Sequence, residues 1–87
     1  MTPWAIAITR GAEKDLDRLA PTVQGRVAQA VERWSTTGSG DIRNIQNLGD
    51  ATHRLRVGDW RVLLALDPSR HAATILRVLP RDAAYKP

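Results

Sequence analysis

The chain has 87 residues and no cysteine, so we expect one small folded domain spanning residues 1–87, with neither disulfides nor thiolate metal ligands. A hydrophobic share of 43% argues against disorder, and a formal net charge of +4, carried almost entirely by arginine, favours a polyanionic partner such as nucleic acid. No apolar run has the length of a membrane span and the N-terminus lacks the basic region of a signal peptide, so we expect a cytoplasmic protein.

The first twenty residues predict a strand followed by a short helix. An apolar run with β-branched residues at positions 4–9 is typical of a strand. From about Arg10 the spacing of apolar residues changes to that of a helix, whose charged residues, Asp15 among them, are assigned to the outer side. The predicted apolar face of this helix consists of Ala12, Leu16 and Leu19.

A second helix is predicted from Pro21 to about Trp34, because proline is tolerated at the first helical position and apolar residues recur at helical spacing. Gln24 is predicted to face away from the core. Residues 35–40, rich in glycine and small polar side chains, predict a loop. Residues 41–51 are poorly patterned and fit either a helical turn or an edge strand.

Residues 53–61 predict a β-hairpin. Arginines at 54 and 56 alternate with Leu55 and Val57, which is the period of a strand with one buried face. Gly58 and Asp59 suit a tight two-residue turn, since glycine takes positive φ at little cost. The second strand then starts at Trp60 and places Arg61 close to the first.

A last strand completes the predicted fold. Residues 67–70 form a turn with proline at its second position, residues 72–79 form the strand, and the tail at 81–87 makes at most one helical turn. The order β-α-α-β-β-β predicts an α+β fold in which two antiparallel helices cover one face of a small antiparallel sheet. Val62, Leu64 and Leu66 are expected to point to the helices, and the other face carries the arginines.

Metal-assisted and serine-dependent chemistry find no support in the sequence. His53 and His71 have no carboxylates at ligand spacing, and no glycine-flanked serine elbow occurs. We therefore predict neither a metal site nor a cofactor.

Clustered arginines are the remaining functional signal. Guanidinium groups repel one another unless an anion joins them, so arginines that converge in the hairpin predict phosphate binding. Taken singly, each is more often a solvated side chain on an open sheet face. Taken together, they predict a nucleic-acid surface. Its candidate residues are Arg54, Arg56, Arg61, Arg77, Arg81 and Tyr85.

The run Arg-Leu-Arg-Val-Gly-Asp-Trp-Arg at residues 54–61, with the helix at 12–19 and the ending at 81–85, resembles the RelE/ParE superfamily of type II toxin-antitoxin toxins over essentially the whole chain. The resemblance implies the same α+β fold, and the RelE branch is the more similar. Members of that branch cut messenger RNA in the ribosomal A site without a metal, through attack of a ribose 2'-hydroxyl on the adjacent phosphate. The ParE branch poisons DNA gyrase instead.

The resemblance implies a role for each matching position. Arg61 is expected to stabilise the pentacoordinate phosphorane, Arg81 to help neutralise the leaving 5'-oxygen, and Tyr85 to orient the attacked nucleotide or act as general base. Arg54 and Arg56 stand where the best-known members carry two lysines. Because arginine stays charged, these two residues are expected to bind phosphate and not to accept a proton.

Four functions follow as alternatives. The leading one is an endoribonuclease toxin that acts on messenger RNA at the ribosome, held inactive by a partly acidic antitoxin that covers the open sheet face or displaces a C-terminal element. The toxin-antitoxin complex is expected to bind its operator DNA through the antitoxin. The others are a ParE-like gyrase inhibitor, an inactive homologue that only binds an antitoxin, and an RNA-binding domain without catalysis.

Overall fold

The computed structural model describes residues 2–84 and contains two helices and a five-stranded sheet. In chain order the elements are β1 (Ala5–Ile8), α1 (Arg10–Asp17), α2 (Pro21–Thr37), β2 (Asp41–Asn44), β3 (His53–Val57), β4 (Trp60–Asp67) and β5 (Ala72–Pro80). The sheet order is β1-β5-β4-β3-β2. The predicted α+β class is confirmed. The structure adds strand β2, in the segment whose type was left open. The sheet is mixed where an antiparallel sheet was predicted, because β1 pairs in parallel with β5.

Polar side chains fix the start of α1 and its junction with α2. The Thr9 hydroxyl accepts the N–H of Ala12 at 3.2 Å, as an N-cap does, and donates to the carbonyl oxygen of Leu76 in β5. The Gln24 side chain donates to the carbonyl oxygens of Leu16 (2.6 Å) and Leu19 (3.0 Å) at the end of α1. The prediction that Gln24 faces away was therefore wrong, because its amide satisfies carbonyls that the helix end leaves without partners.

Helix α2 runs three residues beyond its predicted end. Ser35, Thr36 and Thr37 were predicted to be loop but are helical, and their hydroxyls donate to the carbonyl oxygens of Glu32 and Arg33. The helix ends at Gly38, which adopts φ 75°, a left-handed conformation that glycine takes without steric cost. The predicted loop at 35–40 is thus reduced to residues 38–40.

The predicted hairpin is confirmed, with Gly58 at φ 60° in the turn between β3 and β4. A Cβ on Gly58 would lie 3.1 Å from Nη2 of Arg26, the flexible end of an exposed side chain, so the positive φ and not the space is what favours glycine in this turn. On the other side of β4 the pairing with β5 shifts between Leu63 and Leu64. This bulge leaves Leu76 unpaired, and it turns Arg77 to the face opposite Ile75.

The core lies between α2 and one face of the sheet. Leu55, Val62 and Leu64 are the largest fully buried side chains, and Val27, Val31 and Trp34 of α2 belong to the same cluster. Val62 and Leu64 point to the helices as predicted, and Leu66 packs at the margin of this core. In the described part of the chain, neither helix combines the length and apolar character needed to cross a membrane.

Candidate nucleic-acid interface

The hairpin places its arginines on the sheet face opposite the helices. Arg56 of β3 lies directly across from Arg61 of β4, and Arg61 lies across from Leu79 of β5. Cross-strand neighbours have Cβ atoms about 5 Å apart, so these two arginines are adjacent on one face. Arg54 is two residues from Arg56 and points to the same side, across from Leu63. The register thus places all three arginines on one face.

An aspartate that the sequence did not reveal lies among these arginines. Asp41 of β2 is the cross-strand partner of Arg56, and its Oδ2 lies 4.0 Å from Nη1 of Arg56. Its Oδ1 accepts a hydrogen bond from Nη1 of Arg54 at 3.2 Å and lies 3.8 Å from Nε of Arg43. The repulsion among the arginines is therefore partly offset by an anion of the chain itself. The side chain of Arg54 is only 11% exposed.

Arg61 is buried, with 8% of its surface exposed. Its Nη1 donates to the carbonyl oxygens of Gly58 (2.8 Å) and Trp60 (3.0 Å), so the guanidinium is folded over the hairpin turn. Within residues 2–84 no carboxylate forms an ion pair with it. A buried cation held only by neutral carbonyls keeps its full charge for an anion that approaches the turn.

Arg81 is held beside the same turn by its backbone. Its N–H donates to the carbonyl oxygen of Asp59 at 2.9 Å, which extends the β4–β5 ladder past Pro80. The side chain is 64% exposed, and its Nε lies 3.7 Å from Oδ1 of Asp82. The alternation along β5 places Arg81 on the face of Leu79 and hence of Arg61. Tyr85, predicted as a catalytic residue, lies outside the described residues.

Arg77 forms an ion pair within the fold. Its Nε and Nη2 donate to the two carboxylate oxygens of Asp15 at 2.7 and 3.0 Å, a two-pronged pairing of α1 with β5. The same carboxylate accepts the backbone N–H of Val78 at 2.9 Å. Burial raises the pKa of Asp15, but the hydrogen bonds from Arg77 and Val78 and the charge of Arg77 outweigh it and hold that pKa below its usual value.

Asp15 is a residue whose setting the sequence prediction missed. It was assigned to the outer side of α1, yet it is only 8% exposed. Its partner lies 62 residues later in the chain, a separation that helical periodicity does not address. The sequence signal for burial of Asp15 was its position next to Leu16 of the apolar face, and this position fits a buried and an exposed aspartate equally well.

Both histidines make contacts within the fold. Nδ1 of His53 lies 2.8 Å from the hydroxyl of Thr52, and the ring of His71 stacks on Trp4 with centroids 4.2 Å apart. Between residues 2 and 84, no three His, Cys, Asp or Glu side chains are grouped as metal ligands would be.

Comparison with known families adds to this geometry. A family model described as a domain of unknown function, DUF3459, matches residues 16–85. The chain belongs to this family. The match includes the hairpin and the whole of β5, and its description states no activity, so functional comparison depends on individual relatives.

These relatives are RelE proteins. Toxin RelE of Mycobacterium tuberculosis is 28% identical over 85 residues, covering 97% of this chain and 88% of the relative. The crystal structure of the toxin-antitoxin complex RelBE2 from the same organism contains a similar chain, with 26% identity and a TM-score of 0.79 over 93% of this chain and 94% of that one. The archaeal RelE-RelB complex from Pyrococcus horikoshii supports the fold, at 23% identity and a TM-score of 0.75 over 93% and 97%. The predicted resemblance is confirmed: this DUF3459 member is a RelE-like toxin.

Proposed function

We propose that this RelE-like chain is the toxin of a toxin-antitoxin pair and cleaves messenger RNA in the ribosomal A site. The observation that carries the proposal is the pairing of Arg56 with Arg61 across the hairpin, with Arg81 anchored at the same turn. Three cations at one end of the sheet face opposite the helices form a site for the phosphodiester backbone. A ribosomal target implies action in the cytoplasm.

The reaction at this site is an internal transfer of the phosphoryl group. The ribose 2'-oxygen forms a bond to the adjacent phosphorus, the bond from phosphorus to the 5'-oxygen breaks, and a 2',3'-cyclic phosphate and a 5'-hydroxyl result. One proton leaves the 2'-hydroxyl and one is delivered to the 5'-oxygen. Negative charge therefore grows on the phosphoryl oxygens and on the leaving oxygen, and fixed cations stabilise both.

Each arginine has a part in this scheme that fits its setting. Arg61, buried and held by carbonyls, supplies a positioned charge to the phosphorane, which costs little reorganisation during the reaction. Arg81, exposed beside the turn, reaches the leaving 5'-oxygen. Arg54 and Arg56 hold the flanking phosphates and, being arginines, remain protonated. Tyr85 is the remaining candidate to orient the nucleotide or to accept the proton.

Primer extension on a message held by programmed ribosomes tests this proposal. We expect wild-type protein to produce cuts within the A-site codon and Arg61→Ala to lower the cleavage rate by about 100-fold or more, the usual cost of a lost oxyanion donor. Arg70→Ala is the matched control, because Arg70 lies in the exposed β4–β5 turn away from the hairpin. Intact message with wild-type protein would contradict the proposal.

The antitoxin is proposed to cover an apolar groove beside strand β1 as well as the arginines. β1 is an edge strand whose residues are all exposed, and Ile6 and Ile8 are large apolar side chains in contact with water. With Val27 and Val31 of α2 they line a cavity of about 460 Å³. Exposed apolar surface of this kind on a small protein is typical of a partner interface, and the RelE relatives named above were crystallised in complexes with antitoxins.

Binding of the cognate antitoxin tests this part of the proposal. Ile8→Glu is expected to weaken the complex by at least tenfold, because it places a charge on the apolar lining. Ala7→Glu, on the opposite side of the same strand and also exposed, is the control and should bind like wild type. Equal affinities of the two variants would exclude the groove as the antitoxin site.

A second candidate function is an inactive homologue whose surviving task is antitoxin binding. The hydrogen bonds of Arg54 to Asp41 favour it, since they occupy one of the cations that RNA would need. Expression of the wild-type protein in cells separates the two functions, because a nuclease should arrest growth whereas an inactive homologue should leave growth unaffected. Growth arrest that persists after Arg61→Ala and Tyr85→Ala are combined would exclude RNA cleavage as its cause and direct attention to targets such as DNA gyrase.

A further inference from the structure

A second pocket lies on the open sheet face next to the hairpin arginines. Residues 47–49 of the loop between β2 and β3, together with Leu63 of β4 and Leu79 of β5, line an open cleft of about 370 Å³. Leu79 lies directly across from Arg61, and Leu63 is two residues from Arg61 on the same strand and face. Since residues two apart on a strand are about 7 Å apart, the pocket is adjacent to the proposed phosphate site. We call it the sheet-face pocket.

The lining of the sheet-face pocket suits an uncharged planar group better than a phosphate. Leu48, Leu63, Leu79 and Ala84 provide apolar surface. The cation in the lining is Arg77, and its charge is already paired with Asp15 by two hydrogen bonds. A phosphate would therefore find little uncompensated charge here, whereas a nucleobase has apolar faces and a polar edge.

Asn47 supplies the polar group that a base edge requires. It lines the pocket from the loop, and within residues 2–84 its side-chain amide forms no hydrogen bond. An amide offers a donor and an acceptor together, the pairing with which asparagine recognises base edges. Asn47 is exposed and has φ 63°, a left-handed conformation that asparagine adopts more readily than most residues other than glycine.

We propose that the sheet-face pocket is a nucleobase subsite in which Asn47 reads the base attached to the phosphate held by the arginines. The proposal rests on the proposed RNA cleavage and deepens it, since the pocket would set the sequence preference of the cut. The arginines contact the backbone, which is the same in every nucleotide, so they carry no base preference themselves. The pocket supplies what they lack.

Binding of the four ribonucleoside 3'-monophosphates to the isolated protein tests the proposal without ribosomes or cleavage. We expect at least one nucleotide to bind about tenfold more tightly than the least favoured one and than ribose 5-phosphate, which has no base. When this nucleotide is titrated into the protein, the backbone amide resonances that change in nuclear magnetic resonance spectra should include those of Leu48, Gly49 and Leu63. Equal binding of all four nucleotides and of ribose 5-phosphate would overturn the proposal.

Asn47→Gly is the informative variant because glycine accepts φ 63° and so removes the amide without straining the loop. The affinities for the four nucleotides should then fall within about twofold of one another, whereas the control Gln46→Ala, which removes an exposed amide outside the pocket lining, should keep the wild-type preference. A preference that survives in Asn47→Gly would contradict the role of Asn47.

Two failures remain distinguishable. Base-dependent binding by a protein that cuts no message would keep the subsite and reject the nuclease. Cleavage without any base-dependent binding would keep the nuclease and reject the subsite.

Discussion

Among the aspartates that pair with arginines in this fold, Asp15 and Asp41 do so in opposite ways. Asp15 is buried and accepts three hydrogen bonds at 2.7 to 3.0 Å from Arg77 and Val78, so it links α1 to β5. Asp41 is 43% exposed and lies 3.2 to 4.0 Å from guanidinium groups of three arginines. The first contact is two-pronged and its carboxylate is buried, while the Arg77 side chain is 49% exposed. The second contact is spread over three arginines and its carboxylate is open to water.

The difference indicates which arginines belong to the fold and which to the proposed RNA surface. Removal of the Asp15 carboxylate is costly because it leaves its hydrogen-bond donors without a partner. We therefore assign Arg77, one of those donors, to the stability of the fold. A half-exposed carboxylate among several arginines contributes little to stability, but it sets their spacing and lowers the local positive potential. We expect changes at Asp15 to affect the free energy of unfolding and changes at Asp41 to affect RNA binding.

Asp15→Ala is expected to have the largest effect on stability. It leaves the N–H of Val78 and the guanidinium of Arg77 without their partner, and the free energy of unfolding should fall by about 2 kcal/mol. Urea denaturation provides the measurement. Asp17→Ala, on an exposed position of the same helix, should change it by less than about 0.5 kcal/mol. Similar losses of unfolding free energy in both variants would contradict a special role of Asp15 in stability.

The pH dependence of stability sharpens the same point. Because the folded pKa of Asp15 is lower than its unfolded value of about 3.9, its contribution is complete above that value and is lost as the pH falls through the folded pKa. The difference in unfolding free energy between wild type and Asp15→Asn should therefore be constant near neutral pH and narrow below about pH 4. A difference that does not change down to pH 2 would contradict the ion pair as its source.

Asp41→Asn is expected to have a small effect on stability, below about 1 kcal/mol, and a clear effect on RNA binding. Loss of the carboxylate frees its neighbouring arginines for phosphate, so affinity for single-stranded RNA should rise at low salt. The plot of log affinity against log salt should steepen by about 0.7 for each additional phosphate that the protein neutralises. Asp50→Asn, exposed and in the β2–β3 loop, serves as control. An unchanged slope would separate Asp41 from the RNA surface.

The fold was predictable where the sequence pattern is local. Alternation at 54–57 and the glycine at 58 are sufficient for the hairpin, since a tight turn brings adjacent strands together without further information. The end of α2 was missed because hydroxyl side chains usually favour loops, and here Ser35 is buried and donates within the helix. Strand β2 has no pattern of its own and exists because β3 offers it a partner.

The candidate site was predictable only in part, for a related reason. Strand parity places Arg56, Arg61 and Arg81 on one face, and the register confirms that Arg56 and Arg61 are adjacent. The aspartates that pair with Arg77 and with Arg54 lie 62 and 13 residues away from them in the sequence. Tertiary contacts decide which arginine is held in an ion pair within the fold and which is left to bind an anion. The alternation of side chains along a strand gives no information about those contacts.

The chemical ends of the cleaved message provide the most direct test of the proposed nuclease. Wild-type protein is incubated with programmed ribosomes, and the 3' end of the upstream fragment is identified by mass spectrometry. A 2',3'-cyclic phosphate, with a 5'-hydroxyl on the downstream fragment, is the predicted result, because the 2'-oxygen is the nucleophile. A 3'-hydroxyl on the upstream fragment with a 5'-phosphate on the downstream fragment would show that water attacks the phosphorus and that the bond to the 3'-oxygen breaks. This result would contradict the mechanism.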